Sequence, residues 1–429
     1  MKRWSTKSAQ EIVGFELGGG LAVLRRFVVK LAVVFAVVIA TLAGAVDVGV
    51  ATPAPTSTVS VSLLPSGEGW ILSGYRCKAS TCAHVEHTSN AGQTWSSVPL
   101  PGQLQKLMGT TLSQYYPFAH LSIYFANAEN GWIYGAAPHK TANDTTDAEL
   151  WSTHDGGQSW SPVHTTSLGM KFDILSTSTS RGEVYAIGWL TDQTFGLWRS
   201  PIATDSWQRV RTPTLYSAAG GTSMEGAMVF KGAAGWLMIG NDRGVTGAAR
   251  LTSRGLWVKW TSPCGSVGGS FAAPVAYSST DLVDVCTIGG YGGDVTPGTP
   301  RNLKIGTDWI LSSHDGGRTF VPTIQIGVDN TSHWLDPAPG LPASPSPRVL
   351  FVAKSIKKGQ TAIQHLFSTS NGGKTWTSVY TPNSDFMEAI QFVTFASRNL
   401  GAAIIQITSS TSILIISTDA GKTWRRTST

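Results

Sequence analysis

Beyond the first 58 residues, apolar positions fall in short runs rather than in the three-to-four spacing of amphipathic helices. The runs are bounded by Gly, Asn, Asp and Ser, which is the pattern of strands joined by tight turns. Segments 59–63, 121–125, 226–230 and 390–395 are candidate first strands of a repeating unit. A polar turn follows, and the second strand often opens on Gly-Trp, at Gly69-Trp70, Gly131-Trp132 and Gly235-Trp236. A third strand leads into a polar segment, and a fourth leaves it.

That polar segment repeats. Five copies fit Thr/Ser-x-Asp/Asn-x-Gly-x-Thr/Ser-Trp/Phe. They are 88–95 with Asn90, Gly92 and Trp95, 153–160 with Asp155, Gly157 and Trp160, and 313–320 with Asp315, Gly317 and Phe320. The last two are 369–376 with Asn371, Gly373 and Trp376, and 417–424 with Asp419, Gly421 and Trp424. Segments 200–207 and 253–260 keep the terminal Ser and Trp and lose the Asp and Gly. Seven units at intervals of about 50 residues describe a repeat architecture. Four short antiparallel strands per unit, closed into a ring, leave no long sheet edge. The reading is an all-β chain, a seven-bladed β-propeller over residues 59–429. Within each turn the Asp or Asn accepts backbone N–H groups, the Gly permits positive φ, and the aromatic packs back between strands. These acids are therefore read as turn braces, not as catalytic or metal-binding groups.

Composition agrees with a large apolar interior: 16 Trp and 47 Gly, with only 14% charged residues. The net charge of +6 does not mark a nucleic-acid binder. Residues 1–45 hold Lys2, Arg3, Lys7, Arg25, Arg26 and Lys30 against Glu11 and Glu16, so the excess lies mostly in the leader. The rest is too nearly neutral to offer phosphates an electrostatic stripe. After Lys30 comes an uncharged apolar run to Val46 containing Ala43-Gly44-Ala45. Residues 1–45 thus read as an export signal or signal anchor, with either an ordinary basic start or a twin-arginine signal at Arg25-Arg26. Residues 46–58 form a Pro/Thr-rich linker. The propeller is expected outside the cytoplasm, secreted or tethered, with membrane contact only through an uncleaved N-terminal segment. All four cysteines lie beyond the leader, and two disulfides are expected, Cys77–Cys82 and Cys264–Cys286.

These repeats resemble the Asp-box, or bacterial-neuraminidase, repeats of sialidases, xyloglucanases and sortilin-type receptors. With the Gly-Trp lead-in they are most similar to the seven-bladed propellers of photosystem II assembly factors. The resemblance covers residues 59–429 and implies a fold rather than a chemistry. The Arg-Ile-Pro segment of sialidases is missing, and the facing acids of xyloglucanases come from two propellers where this chain has one.

Connection length points to a working face. Turns between first and second and between third and fourth strands are tight. The long segments, 101–119, 136–149, 289–307 and 327–347, all belong to the opposite face, and long loops on a rigid scaffold carry binding. They supply Tyr115, Tyr116, His139, Tyr291, Arg301, His333 and Trp334 as candidate ligand contacts, and Asp144, Asp294 and Asp336 as loose acids. His84 and His87 stand three apart on a strand and point to opposite faces, which does not suit one ion. No phosphate loop, zinc signature or Ser-His-Asp motif stands out, so no cofactor, no metal and no catalytic residue is assigned. The expected function is a non-enzymatic scaffold for a protein or carbohydrate partner outside the cytoplasm. The alternative is a glycoside hydrolase of sialidase or xyloglucanase type.

Overall fold

The computed structural model describes residues 57–77, 80–108, 121–136, 148–191, 194–216, 224–241, 244–266, 274–287, 308–326, 343–346, 348–358, 361–381, 389–408 and 411–427. They form seven four-stranded antiparallel sheets, each built from four consecutive strands. The first blade is β1 (Ser57–Leu63), β2 (Gly69–Cys77), β3 (Ser80–Thr88) and β4 (Ser96–Val98). The second is β5 (Ser122–Phe125), β6 (Gly131–Ala136), β7 (Ala148–Thr153) and β8 (Ser161–Pro162). The third is β9 (Lys171–Ser180), β10 (Glu183–Thr191), β11 (Thr194–Pro201) and β12 (Gln208–Tyr216). The fourth is β13 (Met224–Lys231), β14 (Ala234–Asn241), β15 (Gly244–Leu251) and β16 (Trp257–Lys259). The fifth is β17 (Val275–Ala276), β18 (Leu282–Thr287), β19 (Asp308–Ser313) and β20 (Val321–Ile326). The sixth is β21 (Ala343–Ser346), β22 (Val349–Lys358), β23 (Thr361–Thr369) and β24 (Thr377–Tyr380). The seventh is β25 (Ala389–Phe395), β26 (Gly401–Thr408), β27 (Thr411–Ser417) and β28 (Arg425–Arg426). β1 starts at Ser57, two residues earlier than the alternation suggests, because Ser57 has a partner in the last blade.

Among the described residues no strand is exchanged to close the ring. Val61 and Ile71 of the first blade pack with Leu400, Ala402, Ile404, Leu414 and Ile416 of the seventh. The Ser57 and Ser412 hydroxyls hydrogen-bond at 2.6 Å, and Arg425 donates to the Ala91 carbonyl at 2.9 Å. Neighbouring blades cover both faces of a second strand, which is why β2, with Trp70, Ile71 and Leu72 all buried, reads as a continuous apolar run rather than an alternating one.

The five polar segments each join a third strand to a fourth. Their hydrogen bonds repeat closely. The opening hydroxyl accepts the glycine N–H in every copy, at 3.0 Å for Gly92, 2.9 Å for Gly157, Gly317 and Gly373, and 2.8 Å for Gly421. The Asn or Asp accepts the N–H of the penultimate residue, at 2.9 Å from Thr94, Ser159, Thr375 and Thr423, and 3.0 Å from Thr319. The glycine has positive φ, and Gly92, Gly157, Gly317 and Gly421 each meet the preceding blade. A Cβ on Gly421 would lie 2.2 Å from the Phe351 ring, and one on Gly92 would lie 2.2 Å from Ile416.

The blade interface has a recurring aromatic arrangement. Trp70 of the first blade stacks on Phe125 of the second at 3.6 Å, and Phe351 of the sixth stacks on Phe395 of the seventh at 4.7 Å. The turn aromatic meets that phenylalanine edge-on, Trp160 on Phe125 and Trp424 on Phe395, each at 6.0 Å. The Trp70 indole also donates to the Gly156 carbonyl of the next blade's turn at 3.1 Å, and Trp236 does the same to Gly316 at 3.2 Å.

The fourth blade corrects one sequence expectation. The segment 253–260 is not its turn. The hairpin closes within Thr252–Leu256, through the Thr252 N–H to the Leu256 carbonyl, and β16 begins at Trp257. Trp257 meets Phe230 edge-on at 6.0 Å and so takes the place of the turn aromatic. Trp260 lies beyond β16, where its indole donates to Gly317 of the fifth blade. The Ser-to-Trp spacing matched by coincidence because a shorter turn shifts the true aromatic three places earlier.

Candidate functional site

The strand ends divide the connections by face. Between first and second strands, and between third and fourth, every connection is a tight turn. The extended connections, 99–121, 137–147, 260–274, 288–307 and 327–342, all leave from the other face. The sequence-derived contacts Tyr115, Tyr116, His139, Tyr291, Arg301, His333 and Trp334, with the acids Asp144, Asp294 and Asp336, lie outside the described residues.

On the turn face, three aspartates look available and are chemically spent. Asp155 accepts the Thr153 hydroxyl and both the N–H and hydroxyl of Ser159, and Asp419 is held in the same way by Ser417 and Thr423. Asp315 accepts N–H groups from Arg318 and Thr319 and the hydroxyls of Ser313 and Thr319. Those hydrogen bonds hold Asp315 far below the usual carboxylate range, and they pull Asp155 and Asp419 down against a partial desolvation. A carboxylate stabilised as an anion in this way is a poor proton donor. His154 and His314 hydrogen-bond to the adjoining turns, to Asn130 at 2.7 Å and Asp281 at 2.8 Å.

Two other acids behave in the opposite sense, and neither was singled out from the sequence. Asp173, near the start of β9, has its Oδ1 enclosed without a hydrogen-bond partner, and burial pushes its carboxyl up to about 7. Asp284 on β18 is fully buried and pushed well above the ordinary range, against one N–H bond from Val285 at 2.8 Å. It lies 3.5 Å from Cys264 Sγ. Cys264, Asp284 and Cys286 bring ligand-type atoms within 4.8 Å of one another, but the two sulfurs are bonded together. Both expected disulfides are present, with Cα–Cα distances of 5.8 Å for Cys77–Cys82 and 5.1 Å for Cys264–Cys286. The first is half-buried at a hairpin tip, and the second is fully buried between the fourth and fifth blades. A lone acid inside an apolar strand, as in the β18 sequence LVDVCT, is the signal that would have found Asp284.

His84 and His87 do face opposite sides of β3. His84 lies near Tyr75, with ring centroids 6.0 Å apart, while His87 sits 4.8 Å from the Trp70 ring. Burial lowers the pKa of both.

No family model and no curated protein matches the chain. Solved structures match in fold. A polysaccharide lyase of the ulvan lyase family, solved with -[GlcA(1-4)Rha3S]- bound, is 8% identical at a TM-score of 0.54, covering 87% of this chain and 96% of that one. Prolyl oligopeptidase B from Galerina marginata is 8% identical at a TM-score of 0.51, covering 87% of this chain and 51% of the peptidase, so this chain spans about half of that enzyme. YCF48 bound to D1 peptide is 15% identical at a TM-score of 0.47, covering 86% and 93%. At these identities the likeness is one of fold alone.

Proposed function

We propose that this chain is an extracytoplasmic, non-enzymatic binding scaffold whose propeller grips a protein or envelope glycan on the face that carries the long connections. The observation behind the reading is the one-sided growth of the connections around a closed ring. The blades stand side by side around the ring, and the extended connections leave from a single face. Tyr115, Tyr116, His139, Tyr291, Arg301, His333 and Trp334 are the proposed contacts, with Trp334 as anchor. The turns supply the frame: we read them as Asp-box repeats, of the kind seen in photosystem II assembly-factor-like propellers. Two disulfides, one of them half-buried, support an oxidising compartment outside the cytoplasm. Among the described residues, no helix is long and apolar enough to cross a membrane.

The test is to replace residues 288–307 and 327–342 by short turns and to compare glycan-array and envelope-protein binding with the parent chain. The shortened ring is expected to melt as the parent does and to lose binding. Retained binding would move the site elsewhere on the ring.

A further inference from the structure

The outermost strands of most blades are brief, such as β8 and β28, but β12 runs from Gln208 to Tyr216. Its pairing with β11 is interrupted. Phe195 faces Leu215 and Leu197 faces Val210, so the stretch from Arg211 to Thr214 bulges out opposite Gly196 alone. Gly196 cannot fill the gap, since a Cβ there would lie 2.6 Å from the Trp198 ring. The bulge opens a groove of about 480 Å³, within the range of small-ligand sites. Apolar Leu190, Phe195, Val210 and Pro213, hydroxyl-bearing Thr212 and Thr214, and cationic Arg209 and Arg211 line it. Among the described residues no acid lines it, and neither arginine takes part in an ion pair. Arg199, one strand inward, is by contrast paired with Glu183 at 3.2 Å. Tyr216, 46% exposed, ends the same strand. Its backbone is seated against Gly247 of the fourth blade, where a Cβ would come within 3.2 Å of the Tyr216 carbonyl.

We propose that this groove is a binding site for an acidic oligosaccharide. Two guanidiniums on one short stretch hold sugar carboxylates through paired N–H donors. Pro213 and Leu190 offer the apolar contact that a pyranose face needs. An acidic peptide adding as a further strand is the less suitable occupant. That mode requires a regular run of edge N–H and C=O groups, and the bulge breaks the run where Pro213 has no N–H to give. The site is made wholly of described residues on the rim of the third blade, and it stands whether or not the long connections bind anything.

The test is calorimetric titration of the full chain with trigalacturonate, with cellotriose as the neutral control and hexaglutamate as the acidic peptide control. Trigalacturonate is expected to bind saturably, weaken as salt rises from about 50 to about 500 mM, and outcompete both controls. The exposed pair Arg209→Gln/Arg211→Gln is expected to lower its affinity by about tenfold or more with an unchanged melting temperature. Replacing residues 288–307 and 327–342 is expected to leave this binding intact, which separates it from the face proposed above. Absence of saturable binding, binding unchanged in the double variant, or tighter binding of hexaglutamate would each overturn the assignment.

Discussion

Trp70, Trp132 and Trp236 follow the same Gly at the start of a second strand, yet they face different neighbours. Trp70 and Trp236 donate to Gly156 and Gly316 in the turn of the next blade. The blade after Trp132 has the turn 200–207, in which Ile202 and Thr204 stand where the other turns have Asp or Asn and Gly. Trp132 is completely buried against Ile202 and Trp207, and its Nε1 has no acceptor among the described residues. Replacing each Trp by Phe removes a similar part of the ring, at about 2 kcal/mol of lost packing in each case. The polar contributions have opposite signs. At Trp70 the change breaks a hydrogen bond and strands a carbonyl, costing about 1–3 kcal/mol more, whereas at Trp132 it removes a buried unsatisfied donor and recovers a comparable amount. Trp70→Phe should therefore be the more destabilising by about 2 kcal/mol or more, and Trp236→Phe should track Trp70→Phe. Urea unfolding followed by circular dichroism, with all three variants at one pH, measures the difference. Equal losses, or a larger loss at Trp132, would refute the claim that these indoles couple blades through the turn carbonyls.

Asp173 gives a pH prediction. Its folded pKa of about 7 lies above the unfolded value near 3.9, so the native state holds an extra proton between those limits and stability falls as pH rises through that window. Asp173→Asn should stabilise the chain by up to roughly 4 kcal/mol at pH 8 and little at pH 4, and thermal melts that show the same change at both would contradict it. The disulfides should separate by access. Mild phosphine treatment should open the half-buried Cys77–Cys82 in the folded protein, while Cys264–Cys286 should resist until the ring unfolds, as alkylation and mass mapping would show. Removing the latter, with a sequence separation of 22, should cost about 3 kcal/mol in the loop-entropy picture. Two glycines with φ of +77° make a further comparison. Gly255→Ala meets nothing within 4 Å and should cost about 1–2 kcal/mol, whereas Gly421→Ala also strikes Phe351 and should cost a further 1–3 kcal/mol or so in chemical denaturation.

Much of the fold was legible because each turn carries its own hydrogen-bonding instructions in the sequence. Thr153, Asp155, Gly157 and Ser159 satisfy one another locally, so their spacing survives whatever the rest of the blade does. Where that local set is missing, as between Thr252 and Leu256, terminal Ser and Trp residues were not enough to fix the register, and the alignment slipped by three places. The cysteine pairing was legible because one pair flanks a short connection and the other bridges successive blades. The groove beside Arg209 and Arg211 was not, because it exists only through the register of β12 against β11, which no periodicity records. Pro213 inside a strand-like run was its one local sign. Asp173 was passed over for a related reason, since packing encloses its carboxyl and no spacing along the chain records it, whereas Asp284 did leave a sign in LVDVCT. The loop residues remain a proposal drawn from connection length, since they lie outside the described residues.

The central claim, that the long-connection face binds and does not cleave, is tested most directly by assaying one preparation for glycan-array or envelope-protein binding and for turnover of sialosides and β-glucans, alongside Trp334→Ala. Binding that is lost in Trp334→Ala at unchanged melting temperature, with no product released by either protein, is the predicted result. Reproducible turnover that disappears on mutating Asp144, Asp294 or Asp336 would contradict it and make the chain a glycoside hydrolase.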